Sequence, residues 1–185
     1  GDAADSRGVE RHGISLAKRR ARTITAPMPL FNMMQLRACL APGQRLIGLD
    51  PGSRMIGVAL SDVSLMLASP HATLKRARLA ANAAEITAIA RRQNAGGLVV
   101  GLPLSLDGSA GPAAQAARDW THALSAATSL PAALWDERLS SAAVNRFLID
   151  EADMTRKRRA EVVDRMAAAY LLQAALDASR NEMGS

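Results

Sequence analysis

Three acidic residues, Asp50, Glu137 and Asp164, interrupt or directly follow apolar stretches of the chain. Asp50 ends the apolar run RLIGLD, Glu137 comes soon after the run LPAALW, and Asp164 interrupts the apolar face of a helical pattern. A carboxylate at the edge of an apolar surface is costly unless it is paired or binds a metal ion. Brought together, three carboxylates would repel one another, and a divalent cation would neutralise that repulsion.

The chemistry of these acids favours Mg²⁺ or Mn²⁺ over zinc, because the ligands are oxygen atoms and the chain has no cluster of cysteine and histidine. Two such ions, held about 3.5–4 Å apart, could activate a water and stabilise the leaving oxygen in phosphodiester cleavage. This chemistry requires the three acids to converge. Taken singly, each has a structural alternative: Asp50 as a turn residue, Glu137 as an ion-pair partner of Arg138, and Asp164 as a partner of Arg165 or Lys157.

Hydrophobic patterns predict the elements that must position the acids. Three strands come first, and the order then runs helix, strand, helix, strand, helix, helix. The Gly96-Gly97 pair is expected to close the first long helix. The predicted strands cover 45–50, 55–61, 66–72, 98–102 and 130–135, and the predicted helices cover 79–93, 113–127, 140–149 and 156–178.

The chain divides into an N-terminal arm and one domain. Residues 1–30 carry the cluster Lys18, Arg19, Arg20 and Arg22, and we interpret them as a disordered or non-native basic arm. Residues 31–44 would form a short helix and linker, 45–178 the domain, and 179–185 a tail. The net charge of +6 suits a polyanionic partner, although part of it belongs to the arm.

Cysteine content and hydropathy indicate the compartment. The single cysteine, Cys39, can form no internal disulfide, which suits a reducing cytoplasm. No apolar run approaches the roughly 20 residues needed to span a bilayer, so we expect a cytoplasmic protein with no membrane association.

Four blocks of the sequence, in order, resemble the YqgF family, also called RuvX or Holliday junction resolvase-like proteins. The first block is GLDPGSRMIGVALSD and the second is VVGLPLSLDGSAGPAAQAAR. The third is WDERLSSAAV and the fourth is RKRRAEVVDRMAAAYLLQAALD. The resemblance runs from about Arg45 to about Ala178 and leaves out the N-terminal arm.

The resemblance implies an α/β, ribonuclease H-like fold: a five-stranded mixed sheet with the first three strands antiparallel and helices on both faces. It also implies a divalent-metal-dependent nuclease, since bacterial members are regarded as trimming the 5′ end of precursor 16S rRNA. Asp50 matches the family's first catalytic aspartate, Glu137 the glutamate of its DER block, and Asp164 the aspartate of its last helix. These three would be both catalytic residues and metal ligands.

The middle acid departs from the pattern of the junction resolvases. Junction resolvases carry an acid straight after the fourth strand, whereas this strand continues into Gly101, Leu102 and Pro103. The sequence must therefore take its middle carboxylate from Glu137, with Asp136 as a competitor. The candidate contacts to nucleic acid are Ser53, Arg54, Arg138, Arg156, Lys157, Arg158 and Arg159.

Three functions stay open on the sequence. The first is a nuclease that acts on precursor rRNA, either free or within ribosomal particles. The second is a Holliday-junction-type resolvase that cleaves branched DNA. Such a resolvase would act as a homodimer, whereas an enzyme that trims RNA could be a monomer. The third is a non-catalytic nucleic-acid-binding factor that keeps the acids for stability.

Overall fold

The computed structural model describes residues 29–105, 107–136 and 156–183, with the backbone alone for 156–161 and 183. The predicted arm up to residue 28 and the predicted helix over 140–149 lie outside the described residues, as do Glu137 and Arg138. No helix in the described ranges is both long and apolar enough to cross a membrane.

Five strands form one mixed sheet, in the order β3-β2-β1-β4-β5. The first three pair antiparallel, whereas β4 pairs parallel with both β1 and β5. This confirms the ribonuclease H-like sheet that the resemblance implied. The strands are β1 (Arg45–Pro51), β2 (Met55–Ser61), β3 (Ala68–Lys75), β4 (Ala95–Leu102) and β5 (Ala132–Asp136), and the helices are α1 (Met33–Ala38), α2 (Leu79–Gln93), α3 (Pro112–Thr128) and α4 (Arg156–Met183).

Both faces of the sheet are buried, which explains the nearly continuous apolar runs of the central strands. On one face, Ile47 and Leu49 of β1 join the core formed with α2 and α3. On the other face, Leu46 packs with Leu171 and Leu172 of α4, together with α1. Alternate residues of β1 therefore face different helices. Asp50 lies four residues after Leu46 and so is on the same face of the strand as Leu46.

The prediction that Gly96 and Gly97 close α2 is wrong. Asn94 ends the helix instead, with a left-handed φ of 51°, and its side-chain amide donates to the carbonyl of Gly43 at 3.2 Å. Asparagine adopts this conformation more readily than most residues because its short polar side chain can hydrogen-bond locally. The two glycines lie in β4, where an added Cβ at Gly97 would crowd Leu36 at 2.9 Å.

Other boundaries also differ from the predictions, and hydrogen bonds are found at two of them. Helix α4 continues to Met183 rather than ending near Ala178, and its buried Ser179 accepts a hydrogen bond from Arg37 at 3.1 Å. Strand β3 starts at Ala68 rather than Met66. The loop before it is held by the carboxylate of Asp62, which accepts from the amides of Met66 at 2.7 Å and Leu67 at 3.0 Å.

Asp62 should stabilise the protein in a pH-dependent way. The backbone hydrogen bond from Leu67, with help from the Ser64 hydroxyl, lowers the pKa of Asp62 from 3.8 to about 2. A depressed pKa contributes stability that is complete above the unfolded value and is lost as pH falls through the folded one. Urea unfolding should therefore find Asp62→Asn less stable than the parent at neutral pH, with the difference disappearing as pH falls from about 4 to about 2. A difference that is the same at both ends of this range would contradict the prediction.

Candidate active site

The first acid of the site lies at the carboxyl end of β1, where the sheet register fixes its face. Asp50 is paired with Gly57 of β2 in the antiparallel ladder. Residues directly opposite each other in such a ladder project to the same face of the sheet. Asp50 is half-buried, and its side chain therefore leaves the sheet on the face that α4 covers.

The second acid reaches this place because α4 approaches the sheet without an intervening side chain. A Cβ added to Gly57 would lie 2.5 Å from the carbonyl carbon of Asp164 and closer still to its oxygen. One helical turn further along, a Cβ at Gly48 would lie 3.1 Å from the carbonyl oxygen of Ala168. Two glycines on neighbouring strands thus let the helix backbone rest on the sheet.

Asp50 and the backbone of Asp164 consequently lie next to the same glycine. Gly57 is the ladder partner of Asp50 and at the same time touches the backbone of Asp164. The side chain of Asp164 is half-buried, as expected at the margin of a helix face that packs on a sheet. Two of the three acids, from distant parts of the chain, thus lie next to one glycine, whereas the third, Glu137, is outside the described residues.

The register also separates Asp136 from these acids. Asp136 pairs with Leu102, whose side chain packs with Ala114 and Ala117 of α3. Its neighbour Trp135 packs instead with the core beneath α4. Asp136 therefore belongs to the α3 face of the sheet, opposite to the face of Asp50. Glu137 lies outside the described residues.

Gly101 lies beside Asp50 in the sheet. The parallel register that pairs Leu49 with Val100 brings Gly101 level with Asp50, and Gly101 itself pairs with Trp135. On the α4 face, this row of the sheet presents a carboxylate between two glycines, Gly57 and Gly101. The indole nitrogen of Trp135 is buried and has no hydrogen-bond partner among the described residues.

The predicted nucleic-acid contacts are placed only in part. Ser53 and Arg54 are exposed in the turn between β1 and β2, directly after Asp50. The segment Arg156–Arg159 forms the start of α4, between one and a half and just over two turns before Asp164. The side chains of this segment, and all of Arg138, lie outside the described residues.

Arg76 is a residue of the site that the sequence did not reveal. Its guanidinium donates to the carbonyls of Pro51 at 3.4 Å and Gly52 at 3.1 Å, in the turn that follows Asp50. The same group lies over the ring of Trp120 in α3, 5.3 Å from the ring centroid. Arg76 thus ties the turn after Asp50 to the helix layer on the other face. Trp120 itself packs against the core on that face.

A divalent cation fits the donors that the structure brings together. Asp50 and Asp164 offer only oxygen atoms, the donors that Mg²⁺ and Mn²⁺ prefer. In the described ranges, no group of three or more histidine, cysteine, aspartate or glutamate side chains is assembled as a metal site. The third acid expected from the sequence, Glu137, falls outside those ranges.

Comparison with known proteins gives a consistent result at the level of sequence. The family model RuvX, described as Holliday junction resolvase, matches residues 44–178. A protein of Gluconobacter oxydans, named "Putative pre-16S rRNA nuclease", is 70% identical over 155 residues, covering 84% of this chain and 97% of the relative. A protein of the same name from Gluconacetobacter diazotrophicus is 67% identical over 152 residues, covering 82% of this chain and 99% of the relative.

A solved structure with a similar chain path is that of RuvC from T. thermophilus in complex with a Holliday junction substrate. The two chains are 15% identical and superpose with a TM-score of 0.47, covering 77% of this chain and 97% of the other.

Proposed function

Because the chain belongs to the RuvX family, we propose that it is a divalent-metal-dependent nuclease that cleaves RNA phosphodiester bonds and matures the 5′ end of precursor 16S rRNA. The observation that carries the proposal is the meeting of Asp50 and Asp164 at Gly57. The ladder pairing positions Asp50 beside Gly57, and the helix contact positions the backbone of Asp164 beside the same glycine. The names of the most similar relatives support the choice of substrate.

The residues proposed to hold the metal are Asp50, Asp164 and Glu137. When bound there, one or two Mg²⁺ or Mn²⁺ ions would supply activation of a water and stabilisation of the leaving oxygen. Asp50 is fixed by the β1–β2 ladder and Asp164 by its backbone contact with Gly57. The protein therefore contributes ligands whose backbone positions need little adjustment on binding, which lowers the cost of assembling the site.

The middle ligand is proposed to be Glu137 and not Asp136. Successive side chains of a strand alternate between its two faces. Asp136 follows the parity of Leu102, which faces α3, so Asp136 leaves the sheet on the face opposite to Asp50. The position of Asp136 therefore favours Glu137 as the middle ligand of the proposed site.

The two acids can be compared directly. Glu137→Gln is expected to slow cleavage by about 100-fold or more, because it removes a proposed ligand of the metal. Asp136→Asn is the matched control: it neutralises the neighbouring acid, and we expect it to keep most of the activity. The measurement is single-turnover cleavage of a 5′-extended precursor 16S rRNA fragment in Mn²⁺. If Asp136→Asn were the inactive variant of the two, the assignment by register would be wrong.

The same assay tests the substrate. The RNA leader and a four-way DNA junction should be offered at equal concentration, with the oligomeric state measured in parallel. If the protein is the proposed nuclease, it should cleave the RNA and should need a divalent metal to do so. Paired cuts in the junction by a homodimer, with the RNA left intact, would instead identify a DNA resolvase, the alternative that the description of the family favours. Binding of either substrate without any cleavage would identify a non-catalytic binding factor.

A further inference from the structure

The connection between β3 and α2 is strongly basic. Its sequence, Lys75, Arg76, Ala77 and Arg78, has three cations in four residues, and we call it the basic junction. The side chains of Lys75 and Arg78 are exposed. Arg54 lies beside them, since the amide of Arg76 donates to its carbonyl at 2.8 Å. The proposed chemistry of the acids does not use this surface.

A buried side chain fixes the shape of the basic junction. Asn82, in the second turn of α2, is fully buried. Its carbonyl accepts from the amide of Ala77 at 2.9 Å, and its amino group donates to the carbonyl of Lys75 at 2.9 Å and to Glu85 at 3.2 Å. One side chain therefore closes the turn from inside, and the cations project from a backbone that is already ordered.

The basic junction lies at the same end of the sheet as the candidate active site. Lys75 pairs with Met55, the first residue of β2, directly after the turn that leaves Asp50. Arg76 links the basic junction directly to the turn after Asp50, because its guanidinium donates to the carbonyls of Pro51 and Gly52. The exposed cations are thus held at a fixed position next to the proposed site of cleavage.

Among the described residues, the charges of this surface have no ion-pair partner. Arg54, Lys75 and Arg78 form no ion pair with any residue in the described parts of the chain. Arg78 is also the N-cap of α2, where a cation is opposed by the helix dipole. An ordered group of uncompensated cations, one of them in an unfavourable position, is what a polyanionic ligand would stabilise.

We propose that the basic junction, together with Arg54, binds backbone phosphates of the RNA next to the cleaved bond. The inference rests on the proposed nuclease function and adds to it a phosphate-binding surface on the α2 side of the site. Lys75 and Arg78 would contact phosphate, whereas Arg76 would hold this surface against the turn after Asp50. Because phosphate contacts position a strand without reading its sequence, this surface would set where the RNA lies and not which bases it carries.

The test measures binding separately from cleavage. In the Asp50→Asn background and without divalent ions, a fluorescently labelled precursor 16S leader RNA is titrated with protein over a series of KCl concentrations. The double variant Lys75→Gln/Arg78→Gln is expected to bind about tenfold more weakly and to lower the slope of log affinity against log salt by about 1 to 2. The matched control is Arg91→Gln/Arg92→Gln, which removes the same charge from exposed positions at the other end of α2. The control should leave the slope unchanged.

The outcomes separate this inference from the function it rests on. Equal salt slopes for the two double variants would overturn the basic junction as a binding surface, even if the parent protein cleaves RNA. A slope lowered only by Lys75→Gln/Arg78→Gln would support it, even if the cleavage assay failed. No measurable RNA binding by the background protein would overturn the inference. Asn82→Asp, which keeps one acceptor and adds a charge beneath the turn, gives a second check, with weakened binding as the expected result.

Discussion

Replacing Asp50 with asparagine is expected to lower the rate of RNA cleavage by about 1,000-fold or more, equivalent to ~4 kcal/mol of transition-state stabilisation. The substitution keeps the size of the side chain but removes a charge from the position proposed to hold the metal. Because the two side chains are nearly identical in size, the variant should fold as the parent does. Single-turnover cleavage in Mn²⁺ and urea unfolding in a chelator measure the two effects.

The control for this experiment is Asp119→Asn. Asp119 is exposed on α3 and accepts a hydrogen bond from Gln115 at 2.9 Å, so the variant loses the same charge away from the proposed site. We expect it to cleave at the parental rate. Undiminished cleavage by Asp50→Asn, measured beside this control, would refute the assignment of Asp50.

Replacing Gly57 with alanine is expected to destabilise the protein by about 3 kcal/mol, near the upper end of the usual effect of overpacking. The added Cβ would overlap the backbone of Asp164. No rotamer change can remove this clash, because the position of a Cβ is fixed by its own backbone. Either α4 moves away from β2 or the strand bends. Because the same movement displaces Asp164 from Asp50, cleavage should fall even at temperatures where the variant stays folded.

Gly96→Ala is the appropriate comparison. Its added Cβ would meet the far ends of the Gln44 and Leu40 side chains, which can turn aside, whereas the obstacle at Gly57 is a helix backbone. Both glycines lie in strands and neither has a positive φ. Urea unfolding should find Gly96→Ala close to the parent and Gly57→Ala far below it. If the two variants lost the same stability, the close approach of α4 would not be the cause.

The central strands of the sheet were predictable because they are buried on both faces and appear in the sequence as short apolar runs. The ends of elements were harder, because a single side chain decided them. Asn94 replaced two glycines as the end of α2, and Asp62 delayed the start of β3. Neither effect follows from hydrophobic periodicity, since both depend on where one polar group finds its backbone partners.

The candidate site was predictable in its membership more than in its geometry. Resemblance pointed to Asp50 and Asp164, but only the ladder register and the glycine contact bring them together. The alternation of side chains along β5, which puts Asp136 on the opposite face, could have been worked out once the face of one residue of that strand was known. Arg76 could not have been found in this way, because it acts on backbone carbonyls, which leave no trace in the sequence.

The seating of α4 on Gly48 and Gly57 has a consequence for the order of events during synthesis. Asp50 belongs to the first strand and Asp164 to the last helix, and a chain is released from its N-terminus onward. A growing polypeptide can build much of the sheet while it carries only one of the two acids. For an enzyme that would cut ribosomal RNA, activity thus waits until the closing helix has left the ribosome that is making it.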